Sequence, residues 1–249
     1  MRFEISEAAR EIKRNVGRVV AFTGAGISAE AGIPTFRGRS GLWEKYDPEE
    51  LATPQAFRRN PSLVWEWYSW RMKLIGEAKP TRAHEVLADW ERRGILMGVV
   101  TQNVDGLHQR AGSVKVVELH GSIWRLKCVG CGNKVHLGFG NLPPEIPPRC
   151  ESCGSLMRPD VVWFYEPLPL DAWANAERMM REAGLVLIIG TSGLVMPAAS
   201  LPIEALRYGA LLIEVNPEET NLSKFAKFKI REGASRALEA MNEQLEGIP

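Results

Sequence analysis

Residues Leu185-Val186-Leu187-Ile188-Ile189 form an unbroken apolar run between Gly184 and Gly190. A strand with one wet face alternates apolar and polar side chains. A run this apolar must be covered on both faces, as parallel strands are when helices pack above and below them. Four more short runs share its character, at 18–23, 98–102, 114–119 and 210–216. Between them, 81–93 and 172–183 carry helical spacing and good helix formers. Strand alternating with helix predicts a doubly wound α/β fold built on a parallel sheet.

Two stretches interrupt this rhythm. Residues 34–76 hold a loop and then a helical segment rich in Trp and Tyr; 125–158 hold all four cysteines and prolines at 143, 144, 147 and 148. Together they are expected to form a small lobe (34–76 and 125–158). The remainder, 1–33, 77–124 and 159–249, would make the large domain. At 249 residues with 45% hydrophobic side chains, the chain can bury its cores without disulfide staples. Its 31 basic residues balance 30 acidic ones, which leaves no long-range field to draw in nucleic acid or an anionic membrane. No apolar run approaches the roughly 18–20 residues that span a bilayer. The first sixteen residues read as an opening helix without the apolar core of a secretion signal, so a cytoplasmic location is expected.

The cysteines are spaced Cys128-x2-Cys131, then eighteen residues, then Cys150-x2-Cys153. Two tight knuckles, each offering two thiolates, suit a tetrahedral zinc ion. Gly130, Gly132 and Gly154 supply the turns such knuckles need. Four thiolates leave no position on zinc for water, so the metal is expected to be structural. A zinc ribbon can also bind nucleic acid, but this lobe has no dense Lys/Arg patch.

Three further segments lie where chemistry is expected. Gly24-Ala25-Gly26-Ile27-Ser28 follows the first strand; glycines there let backbone approach a pyrophosphate at the start of a helix. Alone, the segment also reads as a tight strand-to-helix turn with no ligand, since it departs from G-x-G-x-x-G. Gln102, Asn103 and Asp105 end another strand, at the edge where open α/β sheets bind ligands. His120 ends a third, beside Gly121, and only four histidines exist in the chain.

Taken together these residues resemble the sirtuin family. The matching segments are GAGISAEAGIPTFRG (24–38), TQNVDGLH (101–108), the His120-Gly121 pair, the paired CxxC motifs, GTS (190–192) and VNPE (215–218), and they span nearly the whole chain in the family's order. The resemblance implies a Rossmann-type large domain, a small zinc lobe, and a cleft between them where NAD meets an acyl-lysine peptide. Gly24, Ala25, Gly26, Ser28 and Arg37 would hold the pyrophosphate, and Gly190, Thr191, Ser192 and Asn216 the adenosine end. Gln102, Asn103 and Asp105 would surround the nicotinamide and its ribose, with Asn103 positioning a water. Phe36 would shield the reacting carbon, and His120 would be the general base on the ribose hydroxyls. Products would be nicotinamide, free lysine and 2′-O-acyl-ADP-ribose, so NAD is consumed. The peptide would add as a strand between Val161-Val162-Trp163-Phe164 and 193–196. The family usually has glycine before Glu166, where this chain has Tyr165, which leaves peptide selectivity open.

Ala52, Tyr68 and Arg71 resemble the family branch that accepts acidic acyl chains. There a small residue leaves room while the phenol and guanidinium bind a distal carboxylate. On a helix, Tyr68 and Arg71 share a face. The alternative is that Tyr68 packs among Trp65, Trp67 and Trp70 while Arg71 is a solvated charge. The expected activity is deacetylation together with desuccinylation or demalonylation, by a monomer or weak dimer. Mono-ADP-ribosyl transfer and a non-catalytic NAD-binding module remain alternatives. A hydride-transferring dehydrogenase fits less well, since no acidic residue clearly ends the second strand.

Overall fold

The computed structural model describes residues 2–37 and 41–245, so Gly38, the last residue of the long glycine motif, lies outside the described residues. In chain order, α1 (Arg2–Arg14) precedes β1 (Val19–Thr23), and a 3₁₀ segment (Ala25–Ala31) follows it. Four helices come next: α2 (Pro48–Leu51), α3 (Pro54–Arg59), α4 (Pro61–Glu77) and α5 (Arg82–Arg92). Then come β2 (Leu96–Thr101), α6 (Leu107–Arg110), β3 (Val116–Glu118), β4 (Gly121–Cys128), β5 (Lys134–His136) and β6 (Met157–Val161). The chain closes with α7 (Leu170–Glu182), β7 (Leu185–Ile189), α8 (Leu201–Arg207), β8 (Leu211–Val215), β9 (Phe228–Ile230) and α9 (Ala234–Gln244).

Six strands form a parallel sheet in the order β3-β2-β1-β7-β8-β9. Counted within this sheet the order is 3-2-1-4-5-6, that of the doubly wound dinucleotide-binding fold. The continuous apolar runs behave as expected. Val19, Ala21, Leu185, Leu187 and Ile189 face a core shared with α1, α5 and α9. Val20, Phe22, Val186 and Ile188 face a second core under α7 and α8.

A third core fills the small lobe, where β4 pairs antiparallel with both β5 and β6. It gathers side chains from α3 and α4 together with Leu107, Ile123, Trp124, Val161 and Trp163. The three helices between 48 and 77 are each started by a polar residue followed by proline. Asp47, Thr53 and Asn60 accept amide hydrogen bonds from Glu49, Ala56 and Leu63 at 2.8, 3.0 and 3.1 Å. The proline behind each cap fills a position that has no intrahelical partner for an N–H. On α4, Val64, Trp65, Tyr68, Arg71, Met72 and Ile75 share the buried face. One expectation needs correction: the segment after the first glycine loop is a 3₁₀ helix rather than an α-helix. No helix among the described residues is long and apolar enough to cross a membrane.

Candidate functional site

The chain turns to opposite sides of the sheet between its two middle strands, β1 and β7, and a crevice opens beyond their carboxyl ends. The loops leaving these strands interlock through backbone alone. Gly24 N donates to Ile189 O at 3.0 Å and Gly26 N to Gly190 O at 2.8 Å. A Cβ at Gly24 would meet Gly190 O at 2.8 Å, and one at Gly26 would meet Gly190 Cα at 2.7 Å. Gly190 itself has φ 61°. The glycines are thus needed first for loop against loop. The amides of Gly24 and Gly26 are thereby bonded within the protein.

Beyond these loops lies a cleft of about 1110 Å³. It is lined by Gly24, Ala25, Gly26, Phe36, Arg37, Gln102, Asn103, His120, Gly190, Thr191, Ser192 and Asn216 from the cofactor and catalytic expectations. The acyl and peptide candidates Ala52, Tyr68, Arg71, Val161, Val162, Trp163 and Phe164 line it too. Ser28 and Asp105 do not. They line an adjoining chamber of about 20 Å³ with Phe36, Arg71 and Asn103, among others.

The polar residues ending β2 are fixed from several sides. Gln102 Nε2 donates to Thr191 Oγ1 at 2.9 Å, bridging to the β7 loop. Asn103 Nδ2 donates to Gly24 O at 3.1 Å and to Ser28 Oγ at 3.2 Å. Ser28 Oγ donates to Asp105 Oδ2 at 2.8 Å, and Leu107 N to Asp105 Oδ1 at 2.9 Å. Burial pushes the Asp105 carboxyl up, opposed by these bonds and by Arg71. His120 Nδ1 stands 2.9 Å from Gln102 O, which can only accept. Nδ1 therefore carries the proton and Nε2 keeps a lone pair. Burial lowers the His120 pKa, and the bond to Gln102 opposes that shift.

His108, at the end of the same motif, is turned into the protein rather than toward the cleft. Its Nε2 lies 2.9 Å from Thr23 Oγ1, which donates to Thr101 Oγ1 at 2.8 Å; Thr101 Oγ1 accepts from Asn103 N at 3.0 Å. A threonine hydroxyl has one proton, so His108 Nε2 is the donor to Thr23. His84 packs against it at 4.7 Å between ring centroids, and its Nδ1 accepts from Thr81 N at 3.2 Å. Burial lowers both imidazole pKa values, that of His84 to about 4.

On the acyl side, Tyr68 is packed edge-on against Trp67 at 4.8 Å, and its hydroxyl accepts from Trp163 Nε1 at 2.8 Å. Arg71 is only 4% exposed, so it is no solvated surface charge. Its guanidinium lies 4.5 Å from the Phe36 ring centroid and 5.0 Å from that of Trp67. It has no hydrogen-bond or ion-pair partner among the described residues.

The 161–166 segment has little main chain to spare. Val162 N donates to His120 O at 2.9 Å, Trp163 N to Glu166 Oε2 at 2.9 Å and Phe164 N to Ala52 O at 2.9 Å. Arg158 holds both oxygens of Glu166 at 2.6 and 2.9 Å. Asn216, expected at the adenosine end, donates from Nδ2 to Thr191 O at 3.1 Å. Its loop is anchored by the buried Glu214, which accepts from Thr220, from Ser223 at 2.6 Å and from Arg231 at 2.6 Å. Sequence reading missed this anchor and the bond from Tyr165 to Glu49, although it singled out Tyr165 itself, which lines the cleft. Both depend on partners distant in the chain.

The four cysteine sulfurs lie within 4.8 Å of one another. Cys128 and Cys153 are 3.4 Å apart and Cys131 and Cys150 3.7 Å, too far for a disulfide at about 2.05 Å. Four ligands about 2.3 Å from a tetrahedral zinc stand about 3.8 Å from each other, so the cluster fits that ion. Gly130 N and Cys131 N donate to Cys128 Sγ at 3.3 and 3.4 Å, and Gly132 and Gly154 have φ of 75° and 72°. These are the knuckle turns the spacing predicts.

Comparison with known proteins agrees with this geometry. The Sir2 family model matches residues 24–197. An NAD-dependent protein deacylase from Aquifex aeolicus is 55% identical over 227 residues, covering 91% of this chain and 95% of its own. One from Pyrococcus furiosus is 50% identical over 233 residues, covering 92% and 93%. A crystal structure of a Sir2 homolog–NAD complex aligns with TM-score 0.90 at 44% identity, covering 98% of this chain and 94% of that one. A Sir2 protein with a deacetylated peptide and 3′-O-acetyl-ADP-ribose aligns with TM-score 0.87 at 35% identity, covering 96% and 97%.

Proposed function

The chain belongs to the Sir2 family and is an NAD-dependent protein deacylase; from that premise we propose how its own residues divide the work and which acyl chains it takes. NAD supplies an electrophilic ribose carbon once its nicotinamide departs. The cofactor would lie along Gly24, Ala25, Gly26, Arg37, Gly190, Thr191, Ser192 and Asn216, which line the same cleft. Asp105 and Gln102 serve the nicotinamide end, with the carboxylate of Asp105 accepting from the carboxamide, and Ser28, expected at the pyrophosphate, joins them because its hydroxyl donates to Asp105. Asn103, whose Nδ2 is spent on Gly24 O and Ser28 Oγ, has its Oδ1 left to hold a water.

The observation that carries the assignment of the base is His120. Its Nδ1 is committed to Gln102 O while the ring lines the cleft, so Nε2 is available to take a proton from a ribose hydroxyl. Phe36 closes over the reacting centre and excludes water. The acyl-lysine peptide lies along Val161, Val162, Trp163 and Phe164, largely through carbonyls, because the amides of Val162, Trp163 and Phe164 are already bonded.

Ala52, Tyr68 and Arg71 would line the acyl pocket, and a buried guanidinium to which no carboxylate is bonded among the described residues favours a chain that ends in a carboxylate. We therefore read the enzyme as a desuccinylase or demalonylase as well as a deacetylase. The reading includes the large domain as 1–33, 77–124 and 159–249, the small lobe as 34–76 and 125–158, and a structural zinc on the four cysteines. It extends to the cytoplasm, where thiols stay reduced, and to action as a monomer or weak dimer.

Mass spectrometry of matched acetyl- and succinyl-lysine peptides, with and without NAD, tests the whole reading. Both peptides should lose their acyl group only with NAD, and His120→Ala should slow both by about 10²–10⁴-fold. Full activity in His120→Ala would remove the imidazole from the mechanism, and turnover of the acetyl peptide alone would remove the acidic-acyl assignment.

A further inference from the structure

Tyr165 lines the cleft and has no part in the proposed chemistry. Its φ of 69° is the one positive value at a non-glycine position among the described residues. Side chains rarely adopt that conformation, and something on the surroundings must hold it there. Tyr165 is the third residue of a tight turn that Glu166 N closes by donating to Trp163 O at 3.1 Å, a position that takes a positive φ. Tyr165 Oη donates to Glu49 Oε1 on α2, next to the main-chain bond from Phe164 N to Ala52 O. The segment is therefore tied to 49–52 at two adjacent points, one through the backbone and one through a phenol and a carboxylate at the surface.

Two consequences follow for a bound peptide. With the amides of Val162, Trp163, Phe164 and Glu166 bonded internally, Tyr165 N–H is the donor in this segment that has no partner among the described residues. And the Tyr165 ring, 76% exposed, stands on the cleft wall joined to a carboxylate whose second oxygen is not used by that bond. Glu166, the neighbouring acid, is already neutralised by Arg158. An open aromatic face joined to an available carboxylate suits a guanidinium or ammonium group, through cation–π attraction and an ion pair together.

We propose that Tyr165 and Glu49 set peptide selectivity: the peptide main chain bonds to Tyr165 N–H, and a Lys or Arg beside the acyl-lysine docks on the phenol–carboxylate pair. The inference rests on the deacylase reading and adds to it the substrate feature recognised outside the acyl pocket.

The test uses acyl-lysine peptides carrying Arg, Ala or Glu at each position flanking the acyl-lysine. Binding is followed by fluorescence anisotropy without NAD, and turnover by mass spectrometry with NAD. The wild-type protein should favour Arg over Glu by about fivefold at one flanking position, from one exposed ion pair and one cation–π contact. Glu49→Gln should bring that ratio close to one, and Tyr165→Phe should keep part of it. Tyr165→Gly, which suits the positive φ and should fold normally, should abolish it. Equal Arg/Glu ratios in wild type, Glu49→Gln and Tyr165→Gly would overturn the proposal. Binding that ranks as expected without NAD-dependent turnover of any peptide would uphold the selectivity and sink the deacylase reading instead.

Discussion

A guanidinium 4% exposed with no anion bonded to it is an unfinished interaction. Arg71 gains from its position over the Phe36 and Trp67 rings, but cation–π contacts do not replace a carboxylate. A succinyl or malonyl group completes the pair with charge-assisted hydrogen bonds of about 1.5–3 kcal/mol. Arg71→Met should therefore lower kcat/KM for desuccinylation by about 10–100-fold, while deacetylation changes by less than about threefold. Because the variant removes a buried charge that has no bonded carboxylate, its thermal stability should hold or rise. Equal loss on both substrates, in steady-state assays, would return Arg71 to a structural role. His84 makes a different kind of statement. Its pKa is lowered to about 4 in the folded protein, against an ordinary value of 6.5. The unfolded chain thus binds more protons between those values, so stability is lost as pH falls through that window. His84 alone is worth about 3 kcal/mol there, at 1.36 kcal/mol per pH unit, and His108 acts in the same direction. Urea melts at pH 7, 5.5 and 4.5 should show that decline, and His84→Gln should flatten it. An unchanged slope would mean that other groups govern acid sensitivity.

At the scale of elements, legibility followed burial. β1, β2, β7 and β8 were readable because both their faces are covered, which forces an apolar residue at nearly every position. β9, three residues at the sheet edge with Lys229 exposed in its middle, carries no such signature and escaped notice. The cysteine cluster was legible because its spacing is local. The Thr23–Thr101 bond, the Glu214–Arg231 anchor and the Tyr165–Glu49 tie were not, since each joins residues whose proximity only the fold creates. The glycine loop falls between these cases. Its glycines were visible, but the contact of that loop with the partner loop at Gly190, a second reason for them, was not. Gly26→Ala should consequently destabilise the fold by about 1–3 kcal/mol through the overlap with Gly190, even without NAD. Chemical denaturation of the unliganded protein measures it. Wild-type stability with weakened NAD binding would show instead that only the ligand needs the glycine.

The molecule as a whole has three cores, and the proposed acyl pocket takes Ala52 and Tyr68 from that of the small lobe. Trp65 Nε1 donates to Met157 O at 2.9 Å, which ties the helix bearing Tyr68 and Arg71 to the strand leaving the cysteine knuckles. Metal removal should therefore reach the acyl pocket. Stripping with a chelator and a thiol reagent should erase near-UV signals from the small-lobe tryptophans and abolish deacylation, while far-UV helical signal largely persists. Retained turnover in metal-free protein would show that the lobe stands without its ion. The route of the chain adds a mechanical consequence. In the proposed division the polypeptide leaves the large domain at 34, returns at 77, leaves again at 125 and returns by 159. The small lobe is thus moored by four lines, and severing the backbone at one exposed turn leaves the others holding. A protease nick between Gly138 and Asn141, where the chain is turned and largely open to solvent, should yield two fragments on a denaturing gel that still migrate and turn over substrate as one particle.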